Sequence, residues 1–365
     1  MMREVRGRPG SLSKATLARR EWHTVQQQPS RLGLGCYPLG GGYGTVDDSA
    51  ARRTVDAALD AGWTFLDTAE TYLESEERLG AILEGRRDRV FLATKAFPSE
   101  PYTYANLSVA VASSLRRLRT DHIDLYQLHG PQDWVTSFPD SPSTEEIADA
   151  LVRLKADGKV RDVGVCNQPP DVLATIHARA GLYSTQNLYS MLDRGAEDDP
   201  LHLPVERRII PFAREHGLRF IAFSPLSRGL LADGLDPART FGPDDERHFL
   251  PRYQAGVYEH YVALSRALQA WAQDHGRSLV QLAVAWTLAR PGVTNTLIGA
   301  KRPEQVQAVV GADSWTLSAT DLAEIDAIVA SLPAEAAAAR MIVWDHFPPE
   351  ALAGLRRRRH GEPAA

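Results

Sequence analysis

Cysteine is nearly absent from this chain, with two in 365 residues. That excludes a disulfide-stapled scaffold and fits a reducing compartment. Also missing is any run near the ~18 uninterrupted apolar residues that a membrane-spanning helix needs. Neither charge sign dominates. The 41 Lys and Arg stand against 46 Asp and Glu, a net charge of −5, whereas a nucleic-acid surface normally needs a basic excess. The start lacks the apolar segment of a secretory signal. These absences leave a soluble globular protein, expected in the cytoplasm, with no nucleic-acid or membrane partner. Its length allows two average domains or one large α/β barrel.

Several chemical motifs are missing as well. Gly33-Leu34-Gly35-Cys36-Tyr37-Pro38 has proline where the third glycine of a dinucleotide fingerprint would stand. Gly40-Gly41-Gly42-Tyr43-Gly44 is not followed by Gly-Lys-Ser/Thr, which excludes a P-loop. It reads as a flexible loop after the first strand. No G-x-S-x-G elbow supports serine hydrolysis, and no His/Cys/Asp set has metal-ligand spacing, so no metal is expected. Residues 1–30 carry Arg3, Arg6, Arg8, Lys14, Arg19 and Arg20 against Glu4 and Glu21. This acid-poor start shares features with organelle transit peptides, but reads as a disordered extension. The run Arg356-Arg357-Arg358-Arg359-His360 reads as a solvated basic tail.

Between those ends, short β-branched or aromatic runs alternate with amphipathic stretches. Strands are expected over Arg31–Tyr37, Thr64–Thr68, Val90–Lys95, Ile123–His129, Val160–Asn167, Tyr183–Leu188, Arg219–Ser224 and Thr294–Ile298. Helices are expected from Asp47-Asp48-Ser49 to about Ala61, then over Ser75–Glu84, Tyr104–Leu118, Thr144–Ala156, Asp171–Arg179 and Val205–His216. Further helices follow around Tyr258–Asp274, Leu279–Leu288 and Pro303–Val310. Strictly alternating strands and helices predict a parallel sheet with both faces covered. Eight such units predict closure into a (β/α)₈ TIM barrel with long loops at its C-terminal face. The competing open, doubly wound sheet would carry a glycine fingerprint if it bound a dinucleotide.

In such a barrel, chemistry sits at the carboxyl ends of the strands. Several apolar runs here end in a polar residue: Asp67, Lys95, His129, Asn167 and the pair Gln186-Asn187. Asp67, Lys95 and His129 fall on strands two, three and four, on one side of one mouth. Tyr72, five residues after Asp67, reaches the same place. A free tyrosine, pKa ~10, is a weak proton donor. A Lys95 ammonium would lower that pKa, and Asp67 would hold Lys95 charged. His129 could hydrogen-bond a substrate oxygen. Such a set suits carbonyl reduction: hydride to carbon, proton to oxygen.

The segments Phe65-Leu-Asp-Thr-Ala-Glu-Thr-Tyr72, Leu92-Ala-Thr-Lys95, Asp124-Leu-Tyr-Gln-Leu-His129, Gly158-Lys-Val-Arg-Asp-Val-Gly-Val-Cys-Asn167 and Ala222-Phe-Ser-Pro-Leu226 closely resemble the aldo-keto reductase superfamily. The likeness runs from about Arg31 to Leu332. It implies a barrel over 31–332 that binds NADPH (NADH less readily) without a Rossmann domain, between an extension at 1–30 and a tail at 333–365. It implies the tetrad Asp67, Tyr72, Lys95 and His129, with Tyr72 as general acid. Cys166, Asn167 and Gln186 match the positions that bind the carboxamide, and Phe223 matches the aromatic that stacks on the nicotinamide. Ser224, Leu226, Ser227 and Arg228 resemble the loop around the pyrophosphate. Ile298, Gly299, Ala300, Lys301, Arg302 and Gln305 resemble the segment that holds the 2′-phosphate, where a cation is a suitable partner. Gly35, Cys36 and Tyr37 are placed beside the cofactor.

This chain departs from the pattern in two places. Ala308-Val309 stand where many relatives have Glu-Asn, so a preference for NADP rests on Lys301 and Arg302. Cys166 replaces the usual serine. Cys36 and Cys166, on strands one and five, read as buried thiols and not as a disulfide. The substrate wall is expected from Tyr37, from the loop Gly130–Ser143 with Trp134 and Phe138, from the loop Leu230–Tyr258 with Phe241, Phe249 and Tyr253, and from Met341–Phe347 folding back over the mouth. Aromatic loops suit a sugar-like, aromatic or polyketide-like carbonyl compound. Two other functions compete with a reductase. One is an NADPH-binding regulatory protein like the potassium-channel β-subunits of the family. The other is a lyase or epimerase that uses transient oxidation.

Overall fold

The expected apolar runs pair as eight parallel strands in a computed structural model that describes residues 28–134, 137–195, 203–243, 245–339 and 349–362. They are β1 (Leu32–Gly35), β2 (Phe65–Asp67), β3 (Phe91–Ala96), β4 (Ile123–Leu128), β5 (Val160–Cys166), β6 (Ser184–Leu188), β7 (Arg219–Phe223) and β8 (Val293–Gly299). Each pairs with the next, and Gly35 opposite Gly299 closes β1 onto β8 into a barrel. Every residue of β3 and β4 is buried, as a sheet covered on both faces requires. Phe65, Phe91, Ala93, Leu125, Ile221 and Leu297 fill the barrel, and a larger core lies between the sheet and its helices.

The helices begin where side chains cap them. Asp47 accepts from the Ala50 amide at the start of Asp48–Asp60. Ser143 and Glu146 form a reciprocal capping box on Thr144–Ala156, as do Ser278 and Gln281 on Leu279–Ala289. The helix expected over Val205–His216 is irregular: a wide π-type turn at Val205–Ile209 precedes the α-helix Ile210–Glu215. Pro211 in its first turn has no amide hydrogen to continue a regular ladder backwards. The helix after β8 is also shorter than expected, Pro303–Gln307. Helices Ala319–Ala330, Ala334–Ala337 and Pro349–His360 lie in stretches to which the sequence reading assigned no structure.

The last of these overturns the reading of the basic tail. The Arg359 side chain is 1% exposed and pairs with Glu70, while Arg358 pairs with Glu77. Acidic partners far away in sequence receive the charges, so the run folds onto the barrel. Residues 1–27 and Met341–Phe347, for which an extension and a fold-back were expected, lie outside the described residues. No helix among the described residues is long and apolar enough to cross a membrane.

Candidate active site

The carboxyl ends of the strands open into one cavity of about 940 Å³. Asp67 ends β2, and Lys95 sits one residue before the end of β3. The Lys95 Nζ donates to Asp67 Oδ1 at 2.5 Å, to the Thr68 carbonyl at 2.8 Å and to Tyr72 Oη at 3.4 Å. Asp67 Oδ2 in turn accepts from Gln186 Nε2 at 2.9 Å and Gln127 Nε2 at 3.3 Å. The Lys95 side chain is fully buried. Burial, the largest single effect, pulls its pKa down, but Asp67, Tyr72 and Cys166 together outweigh it and leave it raised. Lys95 is therefore a permanent cation behind Tyr72.

Tyr72 is carried by a tight turn after β2, with its amide bonded to the Ala69 carbonyl and its carbonyl to the Ser75 amide. Leu73 follows in the left-handed region at φ 48°, strain of the kind that collects at functional sites. The phenol was expected to have a lowered pKa. Lys95 does act in that direction, but burial is the larger effect, and the phenol is pushed up to about 12. Tyr72 is thus a neutral phenol at ordinary pH. His129 follows β4 with its ring 5.6 Å edge-on from Tyr72 and Nδ1 3.4 Å from Thr71 Oγ1. Burial first, then Lys95, hold its pKa well below the usual imidazole range. It is a neutral hydrogen-bonding group. Asp67, Tyr72 and His129 line the cavity, and Lys95 lies directly behind them.

The glycine-rich loop is packed, which corrects its reading as merely flexible. A Cβ on Gly42 would stand 2.2 Å from the Tyr37 ring, so the loop lies directly on that ring. Tyr43 bridges to Asp245 in the loop after β7, and Lys301 Nζ donates to the Tyr43 carbonyl at 2.6 Å. Tyr37 donates to Glu246 at 3.0 Å, and Arg228 pairs with the same carboxylate. Loops after β1 and β7 therefore meet across the mouth.

Of the residues expected beside the cofactor, Gly35, Tyr37, Asn167, Gln186, Phe223 and Ser224 line the cavity. So do Leu226 and Arg228, and on the β8 side Ile298, Gly299, Ala300, Lys301 and Gln305. Asn167 and Ser224 take left-handed backbone conformations directly after β5 and β7. Four others do not line it. Cys36 and Cys166 are buried free thiols, each pushed up by burial. Ser227 is turned into a buried network with Ser190 and Asp193. Arg302 is exposed at the start of Pro303–Gln307.

The same cavity has the donors a dinucleotide needs. Arg228 is partly buried, and its buried Nε lacks a hydrogen-bond partner. Burial, then the Arg247 guanidinium, hold the Lys301 ammonium below its usual range. Both features favour an anion between these groups. These residues fit a phosphorylated cofactor such as NAD(P)H.

The substrate side differs most from expectation. Trp134 and Phe138 do not line the cavity. Trp134 packs on Phe97, ring centroids 6.4 Å apart, and a Cβ on Gly130 would strike its ring at 1.9 Å. Phe138 lies beneath Arg356, 6.0 Å away. Phe241 and Tyr253 pack on each other, and Phe249 alone of that trio lines the cavity, at 67% exposure. Phe97, Thr71, Tyr43, Glu246 and Arg247 line it without having been anticipated. Strand alternation would have found Phe97, two residues beyond Lys95 on the same face. Glu246 and Arg247 carry no local signal, because their role depends on the loop after β7 folding back over the mouth.

A model of the aldo/keto reductase family matches residues 31–330. The chain is 33% identical over 315 residues to the aldo-keto reductase YhdN of Bacillus subtilis, covering 83% of this chain and 90% of that protein. It is 30% identical over 312 residues to the aldo-keto reductase str7 of Strobilurus tenacellus, covering 82% and 89%. Among solved structures, the glycerol dehydrogenase AKR11B4 from Gluconobacter oxydans superimposes with a TM-score of 0.73 at 30% identity, covering 85% of this chain and 94% of that one. The aldo-keto reductase AKR11C1 from Bacillus halodurans gives 0.63 at 30% identity, covering 86% and 94%.

Proposed function

Because the chain belongs to the aldo/keto reductase family of oxidoreductases, we propose that it reduces an aldehyde or ketone to an alcohol with NADPH, Tyr72 acting as general acid. One observation carries this reading. Lys95 Nζ can only donate, so at 3.4 Å the Tyr72 oxygen accepts, and its own proton is left to point into the cavity. Bound NADPH supplies the hydride. As negative charge develops on the substrate oxygen, it becomes more basic than a phenolate, and Tyr72 passes its proton to it. The phenolate left behind is stabilised by Lys95, which Asp67 holds in place. Neutral His129 donates to the same substrate oxygen and fixes its direction.

Lys301, near Arg247 and kept half-buried, supports NADPH over NADH, because only NADPH brings a 2′-phosphate to relieve that crowding of cations. Arg228 suits the pyrophosphate, and Asn167 and Gln186 the carboxamide. Exchange of Tyr72→Phe tests the proposal. Aldehyde-dependent oxidation of NADPH should fall by about 10²–10⁴-fold while NADPH still quenches or shifts protein fluorescence. Normal turnover by that variant would remove Tyr72 from the role.

A further inference from the structure

Helix Pro349–His360 lies against the two loops that carry Tyr72 and Phe97, and Arg359 near its basic end is buried there. Arg359 and Glu70 are each 1% exposed in their side chains. Burying such a pair costs desolvation, which is offset only where further hydrogen bonds satisfy both groups. Here they do. The Glu70 carboxylate accepts from the Phe97 amide at 2.7 Å, from Arg359 Nε at 3.2 Å and from Arg359 Nη2. Arg359 Nη2 also donates to the Phe97 carbonyl, and Nη1 to Glu100, both at 2.9 Å. Arg358 donates to the Glu70 carbonyl at 3.1 Å, and Arg356 to the Ser99 carbonyl at 2.5 Å. One helix thus ties the loop after β2 to the loop after β3.

We infer that Arg359 is a positioning residue: its fork holds Glu70 and Phe97 so that Tyr72 and the ring wall facing it keep reactive geometry. This rests on the proposed role of Tyr72. Glu70 stands two residues before Tyr72, and Thr71 between them contacts His129 Nδ1. A shift at Glu70 therefore reaches the acid and the imidazole together. The Phe97 ring lies 5.8 Å edge-on from His129, and Leu352 and Leu355 of the helix back it, with Trp134 packed alongside. The cofactor-facing side rests on β1 and on β5 to β8, where this helix places none of the bonds just described. A misplacement near 1 Å costs about 10²-fold in rate.

Arg359→Ala strands a buried carboxylate and can impair folding, so Arg358→Ala and Arg359→Lys are made beside it in the full chain. For each, kcat and KM are measured with an aliphatic and an aromatic aldehyde, NADPH affinity by fluorescence titration, and the unfolding midpoint by heating. Arg359→Ala should lower kcat by about 10²-fold, and Arg358→Ala by about tenfold. Arg359→Lys should recover part of the loss, because an ammonium can meet Glu70 without forking to the Phe97 carbonyl. KM should rise more for the aromatic aldehyde, while NADPH affinity stays within about twofold. The inference fails if Arg358→Ala and Arg359→Lys turn over like the parent and Arg359→Ala loses only stability. It fails equally if kcat and NADPH affinity fall in parallel. Tyr72→Phe in the same assay separates the two ideas: full activity there sinks the acid assignment, whereas an inactive Tyr72→Phe beside normal Arg359 variants sinks only the positioning role.

Discussion

The Lys95 ammonium donates to the Tyr72 phenol oxygen across 3.4 Å, yet the phenol titrates only near pH 12 because burial outweighs that cation. Carbonyl reduction needs the phenol form, which is complete far below pH 12. His129 stays neutral as well. The pre-steady-state hydride step of reduction should therefore be flat from about pH 6 to about pH 9. Alcohol oxidation needs the phenolate, so its rate should climb by about tenfold per pH unit over the same window. A bell-shaped reduction profile centred near neutral pH would contradict the assignment of states.

Lys301 tests the cofactor preference. Its Nζ is anchored to the Tyr43 carbonyl, and the Gln305 side chain accepts from its amide. Lys301→Ala removes the cation but not the cavity. NADPH affinity should drop by about tenfold or more, the scale of one charge-assisted contact, with NADH affinity unchanged. Equal losses for both nucleotides would place Lys301 in a structural role instead.

Two glutamines share Asp67. Gln127 is fully buried and donates to Asp67 Oδ2, whereas Gln186 both donates there and lines the cavity. A hydrogen bond to a charged group contributes about 1.5–3 kcal/mol. Gln127→Leu should therefore lower kcat roughly tenfold or more with NADPH affinity retained. Gln186→Leu should lower both. The difference between the two variants in nucleotide titration is the measurement that decides.

The barrel was legible because it is written locally. Apolar runs ending in Asp67, Lys95 or His129 mark both a strand and the end that faces the mouth. Tyr72 was legible by its distance from Asp67. Its protonation state was not, because the competition between burial and Lys95 depends on depth in the fold. Arg359 was misread for a related reason. A charge run looks solvated until the carboxylates that bury it are located, and Glu70 lies 289 residues away. Trp134 and Phe138 were expected in the substrate wall, but neither lines the cavity. Aromatic content identifies a loop that packs and leaves open which ring reaches the cavity.

Gly40 shows how tightly the first loop packs on the turn that carries Tyr72. Its φ is ordinary, so the residue is not there for backbone freedom. A Cβ at Gly40 would stand 2.0 Å from the Tyr72 carbonyl oxygen and 2.9 Å from its carbonyl carbon. Both are backbone atoms, and no rotamer change can make room. Gly40→Ala must therefore push the Tyr72 turn away from the loop, an overpacking strain of about 1–3 kcal/mol. Gly62 is the control. It has open space around its Cβ position but a φ of +81°, so Gly62→Ala is strained only in its own backbone, by roughly 1–2 kcal/mol. Both variants should melt earlier than the parent. Only Gly40→Ala should also lose kcat, by about 10²-fold if Tyr72 moves near 1 Å. Equal kcat values for the two variants at matched stability would mean that the loop does not hold Tyr72 in place.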